Sequence, residues 1–385
     1  MAADLGPNAY LIGVAGSRDR LNTPALLLDL DALERNIAAM AAFARAHGVA
    51  LRPHSKTHKS VEIARRQIAA GAVGICCATL GEAEVIAGAG IPGVLITSPV
   101  VQPDKVARLI TLNAKAEGLM VVADDPANVS ALAAAAAAAG RPLTVIVDVE
   151  VGSRRTGVQS AQAATALARQ IADSESLRFG GIQGYAGNLQ HKYDYAERKA
   201  LSDEMTAWLR QVSDALAAEG LPPAIVAGAG TGTHELDARA GLMTDLEVGS
   251  YAVMDVDYDA VALREDDARP FEDALFVRTS VVSATHDDFA VTDAGLKAFA
   301  TDAPSPPRIA RGAPEGSTYG FAGDEHGRVF YPAAAEGTGP RLAIGDAVEC
   351  VTPHCDPTVN LYDHYHVVRG DTLVEIWPVD ARGRR

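Results

Sequence analysis

A lysine set among other cations is the first feature of the chain with chemical meaning: Arg52-Pro53-His54-Ser55-Lys56-Thr57-His58-Lys59. Positive neighbours make an ammonium easier to deprotonate, and a neutral lysine is what Schiff-base formation with a carbonyl compound requires. A solvated basic turn is the plainer account of the same run. Further on, Gly228-Ala229-Gly230-Thr231-Gly232-Thr233 combines three glycines with two hydroxyls, and Gly249-Ser250-Tyr251 adds a second glycine and hydroxyl group. Backbone of that kind closes around a phosphate, with Gly230, Thr231, Gly232, Gly249, Ser250 and Tyr251 as its candidate contacts. No Gly-Lys-Ser/Thr follows, so the loop is not a nucleotide P-loop.

Thr352-Pro353-His354-Cys355-Asp356-Pro357-Thr358-Val359-Asn360 holds a third candidate. In an extended chain His354 and Asp356 share a face and Cys355 takes the other. One imidazole and one carboxylate suit Mn2+ or a similar hard ion completed by water, with Mg2+ or Co2+ as alternatives, rather than a closed thiolate zinc site. A simple polar turn is the alternative. Tyr185 and His191, in Gln183-Gly184-Tyr185-Ala186-Gly187-Asn188-Leu189-Gln190-His191, are candidates for acid–base or cofactor-positioning work. Arg155 is a further candidate for a cofactor pocket, while its neighbour Arg154 reads as solvated.

These residues need a scaffold that gathers loop ends. Short apolar runs at Val49–Pro53, Val73–Leu80, Gly93–Val100, Leu119–Ala123, Leu143–Val149, Phe179–Tyr185, Ala224–Ala227 and Leu246–Met254 read as strands, with helical patterns between them. The clearest helix spans Glu197–Glu219, with Leu201, Met205, Trp208, Val212 and Leu216 on one face and Gly220 as its stop. Before the first run, Asp31 and Glu34 resemble a capping box, and Leu33, Ile37 and Met40 form a face. Eight alternations predict a (β/α)8 barrel, whose active site forms at the C-terminal strand ends where the candidates lie. Beyond Asp255 the helical period gives way to strand patterns such as Ala274–Ser283 and Leu373–Trp377, with Arg369-Gly370-Asp371-Thr372 as a hairpin turn. The expected organisation is a barrel over residues 23–265 and an all-β domain formed by 1–22 and 266–385. No repeat beyond the βα alternation is evident.

The chain has 385 residues, with 34 Lys and Arg against 49 Asp and Glu, a net charge of −15 that argues against nucleic-acid binding. The alanine tract ending at Gly140 is far too short to cross a bilayer, and no signal peptide is evident, so no membrane association and a cytoplasmic location are expected. Cys76, Cys77, Cys350 and Cys355 form no C-x-x-C pair and read as reduced thiols, with burial expected for at least one of the adjacent pair.

Taken in order, these segments resemble the pyridoxal-phosphate enzymes of the alanine-racemase-like fold, and within them the D-threonine aldolase and D-serine dehydratase branch. The likeness covers nearly the whole chain: Thr23–Leu30, Arg52–Lys59, Gly74–Cys77, Gly228–Gly232, Gly249–Asp255, Asp293–Lys297, Asp324–Gly327 and His354–Asn360. It implies that Lys56 carries pyridoxal phosphate, that the Gly228–Gly232 loop with Ser250 and Tyr251 holds its phosphate, and that His354 and Asp356 bind a metal. It also implies a homodimer in which the β domain of one subunit closes the barrel mouth of the other. Two departures stand out: Ala229 replaces a glycine common in the loop, and Glu247 stands where relatives have glutamine. The dehydratase branch uses a His-x-Cys zinc pair, so Asp356 favours the aldolase branch, which splits D-3-hydroxy amino acids into glycine and an aldehyde, or glyoxylate from 3-hydroxyaspartate. A D-serine dehydratase is the alternative. A metal-free racemase would leave His354 and Asp356 without a task, and a noncatalytic cofactor carrier would lack the β domain.

Overall fold

The computed structural model describes residues 5–332 and 340–385. Strand β1 (Ala25–Asp29) and helix α1 (Leu30–His47) precede a parallel sheet of eight strands: β2 (Ala50–Leu51), β3 (Cys76–Cys77), β4 (Leu95–Ile96), β5 (Met120–Ala123), β6 (Leu143–Asp148), β7 (Leu177–Gly184), β8 (Ile225–Gly228) and β9 (Asp245–Leu246). Their order is β2-β9-β8-β7-β6-β5-β4-β3, and a bridge between His54 and Cys76 closes the ring. There Ser55 N–H donates to Cys76 O, and Cys76 N–H to Pro53 O, each at 2.8 Å. Each strand is followed by a helix: α2 (Val61–Ala69), α3 (Leu80–Gly88), α4 (Pro103–Asn113), α5 (Pro126–Ala139), α6 (Ala161–Ala172), α7 (Tyr195–Ala218), α8 (His234–Arg239) and α9 (Val256–Asp259). The (β/α)8 barrel is therefore present: the first five expected apolar runs each contain a strand, Phe179–Tyr185 and Ala224–Ala227 overlap β7 and β8, and Leu246–Met254 shares only Leu246 with β9.

Local signals explain the helices well. In α7 the buried face includes Met205, Leu209, Val212 and Leu216, and Asp194 caps the start by accepting the Glu197 N–H at 2.7 Å. Gly220, at φ +75°, ends it, while Leu221 N–H returns to Leu216 O at 2.9 Å. Helix α1 buries Leu33, Ile37 and Met40 as expected, but its cap is Asp29, which accepts the Ala32 N–H at 3.1 Å. Asp31 is already inside the helix, where its side chain cannot cap. The last apolar run also differs from expectation, because the chain leaves the sheet after Leu246 and turns through Ser250–Ala252 as a 3-10 helix. Burial of Tyr251, Ala252, Val253 and Met254, rather than pleated geometry, accounts for the apolar residues there.

The second sheet comprises β10 (Leu275–Ser283), β11 (Phe289–Thr292), β12 (Arg308–Arg311), β13 (Thr318–Phe321), β14 (Gly327–Phe330), β15 (Ala347–Val351), β16 (His364–Arg369) and β17 (Thr372–Pro378), together with β1. Residues 25–29, inside the range expected for the barrel, thus lie in the second sheet, with β1 antiparallel to β10 and parallel to β16. Leu26 and Leu28 of β1 join the main core, while Ala25 and Leu27 pack with Leu11, Leu21, Val368, Leu373 and Ile376. Both faces are covered, so β1 reads as a continuous apolar run rather than an alternating one. The β16–β17 hairpin turns at Gly370-Asp371, with Gly370 at φ +60°.

Between β15 and β16 lies α10 (Cys355–Val359), and the segment before it docks on the barrel. Val256 N–H donates to Thr352 O at 3.0 Å, and Cys355 N–H to Asp255 Oδ2 at 2.8 Å. These bonds hold the second domain over the barrel mouth. All four cysteines are free and buried. Among the described residues no helix is long and apolar enough to cross a membrane.

Candidate active site

A cavity of about 170 Å3 opens at the C-terminal ends of the barrel strands. Lys56 and Thr57 enter it after β2, Tyr185 and His191 after β7, Gly230 and Thr231 after β8, and Glu247, Gly249 and Ser250 after β9. Tyr258 of α9 completes the barrel wall, and His354 and Asp356 reach in from the second domain. Arg155 lies just beyond this wall, its guanidinium 5.5 Å from the centre of the Tyr185 ring.

Lys56 Nζ sits 5.1 Å from the centre of that ring. Its pKa is raised, not lowered as the sequence suggested: the Tyr185 oxygen raises it most, and Asp356 and Glu247 add to that against burial and Arg155. The cations beside Lys56 along the chain do not act on it as expected, because folding neutralises them and leaves Arg155 outweighed. Burial drives His54 well below its usual value and His58 to about 4, and Lys59 is paired with the buried carboxylate of Glu82. Desolvation disfavours the imidazolium forms, so the flanking histidines carry no charge near neutrality.

The glycine loop and the turn after β9 meet at one end of the cavity. Thr231 Oγ1 accepts the Tyr251 N–H at 2.9 Å, binding the two together. Thr57 Oγ1 is buried without a hydrogen-bond partner, and a Cβ on Gly249 would stand 2.5 Å from it. Among the described residues the backbone N–H groups of Thr231 and Gly249 have no protein acceptor. Two of the sequence candidates have different surroundings. The Tyr251 ring packs 5.6 Å from Phe271 and its hydroxyl accepts from Gln67, so only its backbone joins the loop. The Gly232 N–H is bonded to Gln190 Oε1 at 2.9 Å, behind the cavity wall. Ala229 adopts φ +65°, the left-handed conformation that favours glycine.

At the opposite end the segment carrying His354 and Asp356 is not extended. His354 stands at the N-cap of α10 and Asp356 in its first turn, while Cys355 is buried. The two side chains still converge on the cavity because the cap residue keeps an extended backbone, φ −143°. His354 Nδ1 lies 2.8 Å from Asp302 Oδ2. Burial works against a charged His354, but Asp356 and Asp302 outweigh it and raise its pKa. His191 Nδ1 is 2.8 Å from Asp257 Oδ2, and its ring centre lies 6.2 Å from that of His354. Burial lowers the His191 pKa despite Asp257. Among the described residues no three His, Cys, Asp or Glu side chains cluster closely enough to hold a metal by themselves.

Glu247 lies deep in the wall with Oε1 unpartnered. Burial pushes its carboxyl to about 8, with Asp148 adding to the effect. Arg52 offers little relief, because its guanidinium already binds Asp245 Oδ2 at 2.8 and 3.0 Å. Sequence reading missed Thr57, Tyr258, Asp257, Asp302 and Gln190 as members or supports of the site. Asp302 falls in a proline-rich stretch, Asp257 and Tyr258 belong to no motif, and Thr57 and Gln190 lie inside the Arg52–Lys59 and Gln183–His191 runs without a residue type that marks them out.

Residues 28–256 match the family described as "Alanine racemase, N-terminal domain", and residues 274–368 match a serine dehydratase domain. The 3-hydroxy-D-aspartate aldolase of Paracoccus denitrificans (strain Pd 1222) is 41% identical over 369 residues, covering 94% of this chain and 93% of that protein. The crystal structure of D-threonine aldolase from Filomicrobium marinum superposes with a TM-score of 0.89 at 40% identity, covering 95% of this chain and 96% of that one. The D-threo-3-hydroxyaspartate dehydratase of Delftia sp. (strain HT23) is 30% identical over 380 residues, 93% of this chain and 97% of that protein. With both halves matched in order and the similarity running almost end to end, the chain belongs to the D-threonine aldolase and D-serine dehydratase family of alanine-racemase-like fold.

Proposed function

We propose that the protein is a pyridoxal-phosphate- and divalent-metal-dependent aldolase that cleaves D-3-hydroxy amino acids to glycine and an aldehyde, with D-threonine and 3-hydroxy-D-aspartate as the substrate types. The observation that carries this reading is the meeting of Lys56, the Thr57 and Gly249 cradle, and the His354/Asp356 pair in one cavity.

The residues present fit the cofactor. An unpartnered Thr57 hydroxyl and free N–H groups at one end match a phosphate, and the Lys56 amine lies in the same cavity. Lys56 would hold the cofactor's carbonyl carbon, Thr57, Gly230, Thr231, Gly249 and Ser250 its phosphate, and Tyr185 and Arg155 would flank it. When bound, pyridoxal phosphate supplies the electron sink for the pair left on Cα as Cα–Cβ breaks. His354 and Asp356 would offer one imidazole nitrogen and one hard carboxylate to an ion that completes its shell with water and substrate and would acidify the β-hydroxyl, Mn2+ first and Mg2+ or Co2+ behind it. Asp302 engages His354 Nδ1 and so leaves Nε2 as the nitrogen for that ion.

His191 is the base in this reading. Asp257 Oδ2 stands 2.8 Å from its Nδ1 but out of hydrogen-bond alignment, burial favours its neutral form, and its Nε2 accepts the β-hydroxyl proton. Retaining that oxygen as the aldehyde, rather than expelling it, separates cleavage from dehydration. Asp356 in place of a thiolate supports cleavage, as do identities of 41% and 40% to aldolases against 30% to a dehydratase. A homodimer belongs to the same proposal: Tyr193 and Leu361, 43% and 42% exposed, lie near His191 and α10 in sequence and offer apolar surface for a second copy.

The test is incubation of the protein, pyridoxal phosphate and Mn2+ with D-threonine and D-serine separately, with glycine and 2-oxo acid assayed in parallel. Glycine from D-threonine and none from the L isomer is expected. Pyruvate from D-serine with no glycine from any D-3-hydroxy acid would assign the protein to the dehydratase branch.

A further inference from the structure

One buried amide ties the proposed phosphate loop to the segment that carries the proposed base. Gln190 is 1% exposed and directly precedes His191. Its Oε1 accepts the Gly232 N–H at 2.9 Å, and its Nε2 donates to Ala186 O at 3.1 Å and to Thr233 Oγ1 at 3.2 Å. Thr233 Oγ1 also accepts the Gly230 N–H at 3.2 Å. The Gln190 side chain therefore reaches both glycines, one directly and one through Thr233, and the backbone beside Tyr185.

The glycines themselves record this contact. A Cβ on Gly230 would stand 2.3 Å from Gln190 Oε1, and one on Gly232 would stand 2.2 Å from the Gln190 carbonyl oxygen. Neither residue has a left-handed φ, so backbone conformation alone would admit alanine at both. Close approach of Gln190 is what excludes it. Moving the loop therefore breaks buried hydrogen bonds that also fix residues 186–191, and a buried amide left unpaired is costly.

We infer, on the reading of this cavity as a pyridoxal phosphate site, that Gln190 is a positioning residue that couples the phosphate loop to the Tyr185–His191 segment. Phosphate in the loop and His191 in place then stabilise one another, and the coupling acts equally in both directions.

The experiment titrates the protein and its variants with pyridoxal phosphate and with pyridoxal, following cofactor absorbance and protein fluorescence. Absence of pyridoxal phosphate binding by the unmodified protein would overturn the cofactor reading itself. Given that binding, Gln190→Ala is expected to weaken pyridoxal phosphate about tenfold to hundredfold while changing pyridoxal by less than about threefold, since only the phosphorylated ligand uses the loop. At saturating pyridoxal phosphate the kcat for glycine release should also fall, because His191 is no longer held. Gly230→Ala should reproduce the affinity loss, and the double variant should be no worse than Gln190→Ala, because the side chain that the new Cβ strikes is gone. Gln190→Met keeps the volume but none of the bonds, and should show the same selective loss if the alanine variant does not fold. Equal weakening of both ligands, an unchanged kcat, or losses that multiply in the double variant would each overturn the coupling.

Discussion

Replacing Glu247 by glutamine should stabilise the cofactor-free protein, and by an amount that grows with pH. Burial holds the Glu247 carboxyl at about 8, against an ordinary value of 4.5. Since the folded-state pKa is raised, the folded chain keeps a proton that the unfolded chain releases. The stability associated with this group is complete below about 4.5 and is lost as pH rises through about 8. At about 1.4 kcal/mol per pH unit, the loss is about 3 kcal/mol by pH 7 and levels off near 5 kcal/mol above pH 8. Glutamine has nearly the shape of the protonated acid and stays neutral, so Glu247→Gln should match the parent at pH 4.5 and exceed it increasingly above. The nearby Asp148 carboxylate, whose own pKa is raised by burial, strengthens the direction of the effect. Urea unfolding of both proteins at pH 5, 6, 7 and 8, with the cofactor removed, measures the difference. A gap independent of pH, or a glutamine variant less stable at pH 8, would refute the reasoning.

Four further outcomes are expected. Borohydride reduction of the cofactor-loaded protein followed by peptide mapping should place the pyridoxyl group on Lys56, and a label on Lys59 or Lys297 would refute that assignment. Chelation should abolish glycine release while keeping the bound-cofactor absorbance, with Mn2+ restoring turnover, and Asp302→Ala should raise the Mn2+ concentration needed by about tenfold, as for other partners of metal-ligating histidines; full activity after chelation would contradict the metal assignment. Ala229→Gly should stabilise the fold by about 1 kcal/mol in urea or thermal unfolding, because φ +65° strains alanine and not glycine, and a destabilised variant would refute that account.

Sequence by itself determined the features that depend on neighbours along the chain. The face of α7 and its stop at Gly220 follow from side chains three and four residues apart and from one positive φ, both local properties. Alternating apolar runs and helices were enough to imply the barrel, and the barrel implied where its loops gather, which is why Lys56, Tyr185, His191, Gly230, Thr231 and Ser250, all placed at strand ends by the sequence, line one cavity. Tertiary structure alone decided the rest. It placed β1 in the second sheet, because strand pairing with residues some 250 and 340 positions away leaves no local pattern. It brought Asp302 to His354 and Gln190 to the glycine loop, contacts that span 52 and 42 positions. It also reversed the electrostatics of Lys56. Adjacent cations in the sequence suggest repulsion, but the fold buries His54 and His58 in neutral form, pairs Lys59 with Glu82, and turns Tyr185, Asp356 and Glu247 toward the lysine. A pKa depends on desolvation and on charges near in space, and neither quantity is carried by the order of residues along the chain.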